Sequence, residues 1–367
     1  MKRLDLLIKR TIEDKICSAL VPNKAIILLG PRRVGKTVLI DQLAKTLDAP
    51  YLLLNGEDFA VQEMLARRRV QHYRNFLGEK RILLIYEAQK IPNIGSILKL
   101  MVDGIEGEPL TGRKKTFHLL ALSETEFAQI EDPIAKRDNL RTRLIYGNYP
   151  ELIHMPELAE KQSYLSEIVN SYLLRDILAF ENIRNSEKII NLLRYIAFQV
   201  GNEVSFNELG GSLGMSKNTV ERYMDMLTKV FVLHRIGGFS RNLRKEVTKK
   251  SKWYFYDNGL RNVLIANMNP LELRNDIGQL WENYIISERI KHQRYSEMIV
   301  NNYFWRSFVQ QVVDCVEELC GILFCFEFKW SPSKKTRPPK AWREAYPESI
   351  FEIVHQDNYR TFLQNPD

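Results

Sequence analysis

The segment Gly30-Pro-Arg-Arg-Val-Gly-Lys-Thr37 has the residue types and spacing of a loop that holds phosphate. Its glycines let the backbone fold tightly, so that successive N–H groups face an anion. A helix starting at the end of such a loop adds the partial positive charge of its N-terminus. In that arrangement Lys36 reaches the β- and γ-phosphates of a nucleotide, and the Thr37 hydroxyl holds Mg²⁺. Gly30, Arg33, Val34, Gly35 and Val38 complete the contact set expected around ATP or ADP. The context agrees. The apolar run Ala25-Ile-Ile-Leu-Leu29 precedes the loop as a buried strand would, and Val38 to Lys45 has helical spacing.

A second segment, Arg81-Ile-Leu-Leu-Ile-Tyr-Glu-Ala-Gln89, looks like the strand that usually faces such a loop and ends in Asp-Glu. There the Asp steers Mg²⁺ and the Glu polarises the attacking water. Here Tyr86 stands in the Asp position and Glu87 remains as the expected catalytic base. A neutral phenol is a poor ligand for Mg²⁺. Hydrolysis is therefore in more doubt than binding.

A third constellation lies near the C-terminus. Val312 to Val316 and Ile322 to Lys329 read as a β-hairpin turning at Cys320-Gly321. Strand alternation puts Glu327 and Lys329 on one face, with Asp314 opposite on the partner strand. Two carboxylates and an ammonium on one sheet face are what a metal-dependent nuclease needs. The acids hold the metal, and Lys329 acts on water or on the developing charge. Glu282, in a helical segment upstream, is a candidate further ligand.

The elements that must position these residues alternate as strand and helix, which predicts an α/β domain with a parallel sheet. Residues 1–23 read as an amphipathic helix. Tyr51 to Leu54 and Thr116 to Leu122 read as further strands, and Ile94 to Val102 as a helix. Between residues 103 and 116 no apolar run supplies the central strand that normally carries a polar sensor residue. Residues 157–200 read as helical. Glu203 to Leu227 then reads as helix-turn-helix, with Ser205 and Glu208 as a capping box and Ser216 capping the second helix. Val220, Met224 and Leu227 should face its core, while Lys217, Asn218 and Arg222 sit where a recognition helix meets DNA. Two strands, Phe231 to Ile236 and Lys252 to Tyr256, bracket a basic loop with Arg241, Arg244 and Lys249, as in a winged helix.

The chain has 367 residues and a formal net charge of +8. The length fits two or three domains, and the charge favours a polyanionic partner such as nucleic acid. No apolar run is long enough to span a membrane, and the N-terminus is not a signal peptide. The four cysteines form no Cys-x-x-Cys pair, which points to reduced thiols in a cytoplasmic protein. Oligomeric state is left open.

Taken in order, GPRRVGKT, EAQKIPNIGSILKL, LTGRKKTFHLLALS, RLIYGNYPE, YFYDNGLRN and FEFKW make the chain resemble a family of prokaryotic AAA+-type ATPases with a C-terminal domain of unknown function. The resemblance implies an AAA+-like P-loop domain over residues 1–146 and a helical connector over 147–200. It implies a winged helix-turn-helix over 201–265 and a restriction-endonuclease-like α/β domain over 266–367. It also implies that Arg113 senses phosphate, and that Glu282, Asp314, Glu327 and Lys329 match the nuclease-like pattern. Tyr86, the lost strand and Val312, where such proteins often carry another acid, depart from it. Two functions remain open: an ATP-dependent enzyme acting on nucleic acid, or a nucleotide-responsive DNA- or protein-binding module without significant catalysis.

Overall fold

The structure, a computed structural model, describes residues 8–104, 114–132, 134–173, 186–240, 251–307, 310–332 and 337–364. Arg113, Arg241, Arg244 and Lys249 lie outside the described residues. The chain divides into two units, Met1–Gly30 with Gly35–Leu119, and Pro31–Val34 with Leu120–Asp367. It is mixed α/β, and no helix among the described residues is long and apolar enough to cross a membrane.

The first unit is built on parallel strands. β1 (Ala25–Leu29) pairs with β4 (Lys114–His118), and β2 (Tyr51–Asn55) pairs with β3 (Ile82–Tyr86). These are two separate two-stranded sheets, and among the described residues no strand joins them. Most of the segment between residues 103 and 116 lies outside the described residues. The helices are α1 (Glu13–Ala19), α2 (Lys36–Thr46), α3 (Phe59–Ala66), α4 (Val70–Leu77) and α5 (Ile94–Gly104). Leu65, Tyr73, Ile91, Ile97 and Met101 pack with Leu54 as the core of the β2–β3 half. The expected helix over residues 1–23 is shorter among the described residues. Residues 8–12 are not helical, and Pro22, which cannot donate a backbone hydrogen bond, follows soon after the last turn. The strand expected to run to Leu122 ends at His118, because Leu119 is the last residue whose N–H bonds to β1, at the carbonyl of Leu29.

The second unit holds a seven-stranded sheet in the order β11-β10-β9-β8-β6-β7-β5. Its strands are β5 (Glu203–Val204), β6 (Leu233–Gly238), β7 (Ser251–Phe255), β8 (Asn301–Arg306), β9 (Val312–Leu319), β10 (Ile322–Phe328) and β11 (Ile350–Val354). The strands flanking the basic loop are thus continuous with the C-terminal strands, through a parallel contact of Gly237 and Gly238 with Tyr303 and Phe304. That junction is four residues long in all and carries no sequence periodicity that could announce it. β9 and β10 form the expected hairpin, with Leu319 opposite Ile322 and Cys320-Gly321 as the turn. The helices are α6 (Glu124–Phe127), α7 (Lys136–Tyr146), α8 (Leu158–Glu167), α9 (Ser186–Phe198), α10 (Phe206–Leu213), α11 (Lys217–Lys229), α12 (Asn258–Leu264), α13 (Ile277–Ser296), α14 (Lys340–Ala345) and α15 (Tyr359–Gln364). The Ser205 and Ser216 hydroxyls accept from the N–H groups of Glu208 and Thr219, which fixes the starts of α10 and α11. Val220, Met224 and Leu227 are fully buried on the inner face of α11.

Candidate nucleotide site and C-terminal acid cluster

The loop after β1 is shaped by two close approaches. A Cβ on Gly30 would lie 1.9 Å from the Leu119 carbonyl oxygen, so only glycine lets the chain leave β1 against β4. Gly35 has φ 89° and starts α2 without a capping side chain. A left-handed residue at the head of an uncapped helix leaves its first-turn N–H groups facing outward, where an anion is the fitting partner. The Lys36 ammonium donates to the Gly30 carbonyl at 2.9 Å, which folds the cation back across the loop. Thr37 and Val38 are exposed in the first turn of α2, and Arg33 is exposed with φ 65°. Val34 is fully buried. Lys36, the glycines and the open helix start fit a nucleotide phosphate, and the Thr37 hydroxyl is available to a divalent cation. Arg10, which sequence reasoning did not single out, is buried, and its Nη1 lies 3.8 Å from where a Gly35 Cβ would be.

At the end of β3, Tyr86 donates its phenolic hydrogen to the Asp41 carboxylate on α2. Burial, and then the hydrogen bond to Asp41, push the phenol well above its ordinary pKa, so it remains a donor at neutral pH. Glu87 adopts φ 47° and ψ 36°, a left-handed conformation unusual outside glycine and asparagine. Such a strained position is held by its neighbours. The Gly56 N–H bonds to the Tyr86 carbonyl at 2.8 Å, and the Gln89 amide donates to the Glu87 carboxylate at 2.7 Å. Nothing in the local sequence pattern signals that Asp41 meets Tyr86, since the two are 45 residues apart.

The hairpin register pairs Cys315 with Phe326, so its next step sets Asp314 opposite Glu327. Asp314 accepts the Phe328 N–H at 3.0 Å. Glu282 on α13 accepts from Lys252 at 3.0 Å and from the Tyr254 hydroxyl at 2.6 Å, both on β7. Burial raises the pKa of Glu282; Lys252 opposes this, and the nearby charge of Asp314 adds to it. Burial works against the Lys252 charge, but Glu282 and Asp314 outweigh it and raise its pKa. The ammonium beside these acids is therefore Lys252. Lys329 lies one residue past the end of β10 and is exposed, whereas Glu327 is buried; the Lys329 N–H still bonds to the Val354 carbonyl of β11 at 3.0 Å. Among the described residues no three His, Cys, Asp or Glu side chains converge as a metal cluster. Glu282 and Asp314 are near enough for their charges to interact, and Lys252 and Tyr254 donate to the Glu282 carboxylate.

Lys217, Asn218 and Arg222 are all exposed along the first turns of α11, with the Arg222 guanidinium 5.5 Å from the centre of the Tyr223 ring.

Three family models match the chain. Residues 22–111 match one described as an AAA domain. Residues 137–272 and 277–362 match two described as domains of unknown function, DUF8612 and DUF4143. The AAA match spans the loop, α2, Tyr86 and Glu87, and supports nucleotide binding of the ATPase type. The chain is also similar to the uncharacterized proteins Rv2008c of Mycobacterium tuberculosis and Mb2031c of Mycobacterium bovis. Each is 24% identical over 347 residues, covering 88% of this chain and 74% of the relative.

Proposed function

We propose that this chain binds ATP or ADP with Mg²⁺, hydrolyses it slowly, and uses the nucleotide state to govern a nucleic-acid-contacting region farther along the chain. The observation that carries the reading is the loop itself. Lys36 lies across its mouth, and α2 opens on an uncapped left-handed glycine. Slow turnover is expected because Tyr86 puts a neutral donor at the strand position from which a carboxylate normally steers the metal, so that any acid serving the cation must reach it from another element, while Glu87 remains as the base. Arg113 would sense the phosphates. In this reading residues 1–146 are the AAA+-like ATPase domain and 147–200 a helical connector. Residues 201–265 form a winged helix-turn-helix, and 266–367 a nuclease-like α/β domain. DNA would meet Lys217, Asn218 and Arg222 on α11, and Arg241, Arg244 and Lys249 in the loop between β6 and β7. The C-terminal acids enter this proposal as a charge-balanced cluster around Lys252 and not as a cleavage site.

Calorimetric titration tests the nucleotide half. Lys36→Ala removes the cation nearest the β- and γ-phosphates and should weaken binding at least tenfold, about 1.4 kcal/mol. Equal affinity in wild type and variant overturns the reading. For the second half, DNA affinity should fall steeply between about 50 and 200 mM salt as counterion release is suppressed. Binding that ignores salt would point instead to a nucleotide-responsive module that docks another protein.

A further inference from the structure

The carboxylate missing from position 86 has a counterpart on the other side of the nucleotide loop. Asp41 follows Thr37 by four residues on α2, so the two share a helix face about 5–6 Å apart at their Cβ atoms. Side chains on a helix lean toward its N-terminus, which tilts the Asp41 carboxylate back toward Thr37 and the loop. One of its oxygens accepts from Tyr86, the residue that stands where the metal-steering acid normally does. No other hydrogen bond or ion pair of Asp41 occurs among the described residues, and the side chain is exposed.

We propose that Asp41 supplies the charge that position 86 lacks: it is the carboxylate that serves the divalent cation of a bound Mg-nucleotide, and Tyr86 is the positioning residue that orients it. The exchange is chemically coherent. A phenol reaches farther from the backbone than a carboxylate does, so a tyrosine at the end of β3 can touch a group seated on α2. A neutral hydroxyl donating to one oxygen leaves the carboxylate ionised, with its second oxygen available to a hard cation. An aspartate in both places would set two anions against each other. The pair also links the two half-sheets, since Tyr86 ends β3 and Asp41 lies on the helix that follows β1. That linkage is the rival explanation, a clamp with no role toward the cation, and the experiment must separate the two.

The inference rests on the nucleotide reading of the loop, and its test is arranged so that the two fail differently. ATP affinity is measured by titration in excess chelator and again in excess Mg²⁺, for wild type, Asp41→Asn, Tyr86→Phe and the double variant Asp41→Asn/Tyr86→Asp. Binding of Mn²⁺ to the protein–nucleotide complex is followed by electron paramagnetic resonance. Asp41→Asn should leave metal-free affinity unchanged or slightly better, and should lose about tenfold of the gain that Mg²⁺ gives wild type. Returning a carboxylate to the strand end in the double variant should restore most of that gain. Tyr86→Phe breaks the clamp but keeps the charge, and should hold the gain to within about threefold. The proposal is overturned if Asp41→Asn keeps the wild-type response to Mg²⁺, if the double variant is no better than Asp41→Asn, or if folded Tyr86→Phe loses the response entirely. Failure of wild type to bind ATP with or without metal strikes the nucleotide reading itself.

Discussion

In the first unit, β1 is half-buried along four residues and exposed at Leu29, and β3 is half-buried throughout. In the second unit, β7 is buried at all five positions. Parallel strands are ordinarily covered on both faces, so the half-buried pairs of the first unit are thinly packed for their apolar composition. The second unit also buries many charged groups, and Glu124 and Glu288 show how such groups are answered. Glu124 bridges to Arg143 at 2.7 Å and to Arg360 at 3.2 Å, and takes hydrogen bonds from the Tyr284 and Tyr359 hydroxyls. Glu288 accepts from Lys291 at 2.5 Å, from the Asn148 amide at 2.9 Å and from the Glu124 N–H at 2.8 Å. The difference teaches where specificity resides. The first unit leaves α2 without a capping side chain and Thr37 in its first turn exposed. The second spends its charges on holding its own helices and sheet in one arrangement.

The sharpest way to break that contrast is to remove a charge from the second unit. Arg289 forks onto Glu317, with bonds of 2.8 and 2.7 Å, and donates a further hydrogen bond to the Phe362 carbonyl at 2.8 Å. Glu317 is only 2% exposed. Arg289→Ala leaves that carboxylate buried without its fork and should cost about 3–5 kcal/mol. A paired replacement, Arg289→Met with Glu317→Leu, should recover most of the loss, because neither charge is then stranded. All five tryptophans lie between residues 253 and 342, so their fluorescence during denaturant unfolding reports the second unit alone. A small effect of the single change would mean that the buried charges are incidental.

How much of this was legible depends on whether the signal was local. The loop from Gly30 to Thr37, the caps at Ser205 and Ser216 and the turn at Cys320-Gly321 each lie within a few consecutive residues, and the chain states them directly. The Tyr86 departure was visible as a residue type, but its partner was not. Asp41 meets it only because β3 ends beside α2. The same holds for Lys252, which meets Glu282 across 30 residues. The Glu124–Arg143–Tyr284 network joins residues up to 160 positions apart, which no local pattern brings together. Periodicity tells which face of an element is inward, and says nothing about which charged group from another element will be waiting there.

A second test sharpens the contrast through pH. His234 on β6 is 4% exposed, stacked on Tyr254 with ring centres 5.5 Å apart and set edge-on to Tyr256 at 5.0 Å. Neither ring nitrogen has a hydrogen-bond partner among the described residues. Burial, and then the charge of Arg294, lower its pKa from 6.5 to about 3. A histidine depressed in the folded state contributes stability that is present above its unfolded pKa and is lost as pH falls toward the folded value. By pH 5 that loss should amount to about 2 kcal/mol. Glu282, Glu288 and Asp257, raised by burial, act in the opposite sense, so the whole-chain profile mixes both. His234→Phe keeps the ring stack and removes the titration. Its stability relative to wild type, read by tryptophan fluorescence, should therefore rise by about 2 kcal/mol between pH 7 and pH 5. A constant difference across that range would show that the ring is not held neutral by its surroundings.

The smallest effect compares two left-handed residues, one in each unit. Gly35, at φ 89°, heads α2 in the loop proposed to hold the nucleotide. Cys320, at φ 50°, and Gly321, at φ 82°, form the two-residue turn between β9 and β10, and Cys320 is exposed. Two consecutive positive φ angles in such a loop are the signature of the turn that matches strand twist, and asparagine before glycine suits it best. Cysteine has no side-chain acceptor that eases the left-handed conformation, and no ligand claims the position. Cys320→Asn should therefore stabilise the second unit by about 0.5 kcal/mol, while Cys320→Val, branched at Cβ, should destabilise it by about 1 kcal/mol. Both changes should leave ATP affinity untouched, whereas Gly35→Ala should impair it. Denaturant midpoints read by tryptophan fluorescence, with parallel nucleotide titrations, check each half of the comparison. If Asn and Val at position 320 behave alike, backbone conformation is not what limits this turn. If Gly35→Ala binds ATP as wild type does, the left-handed head of α2 serves the fold of the loop and not the nucleotide.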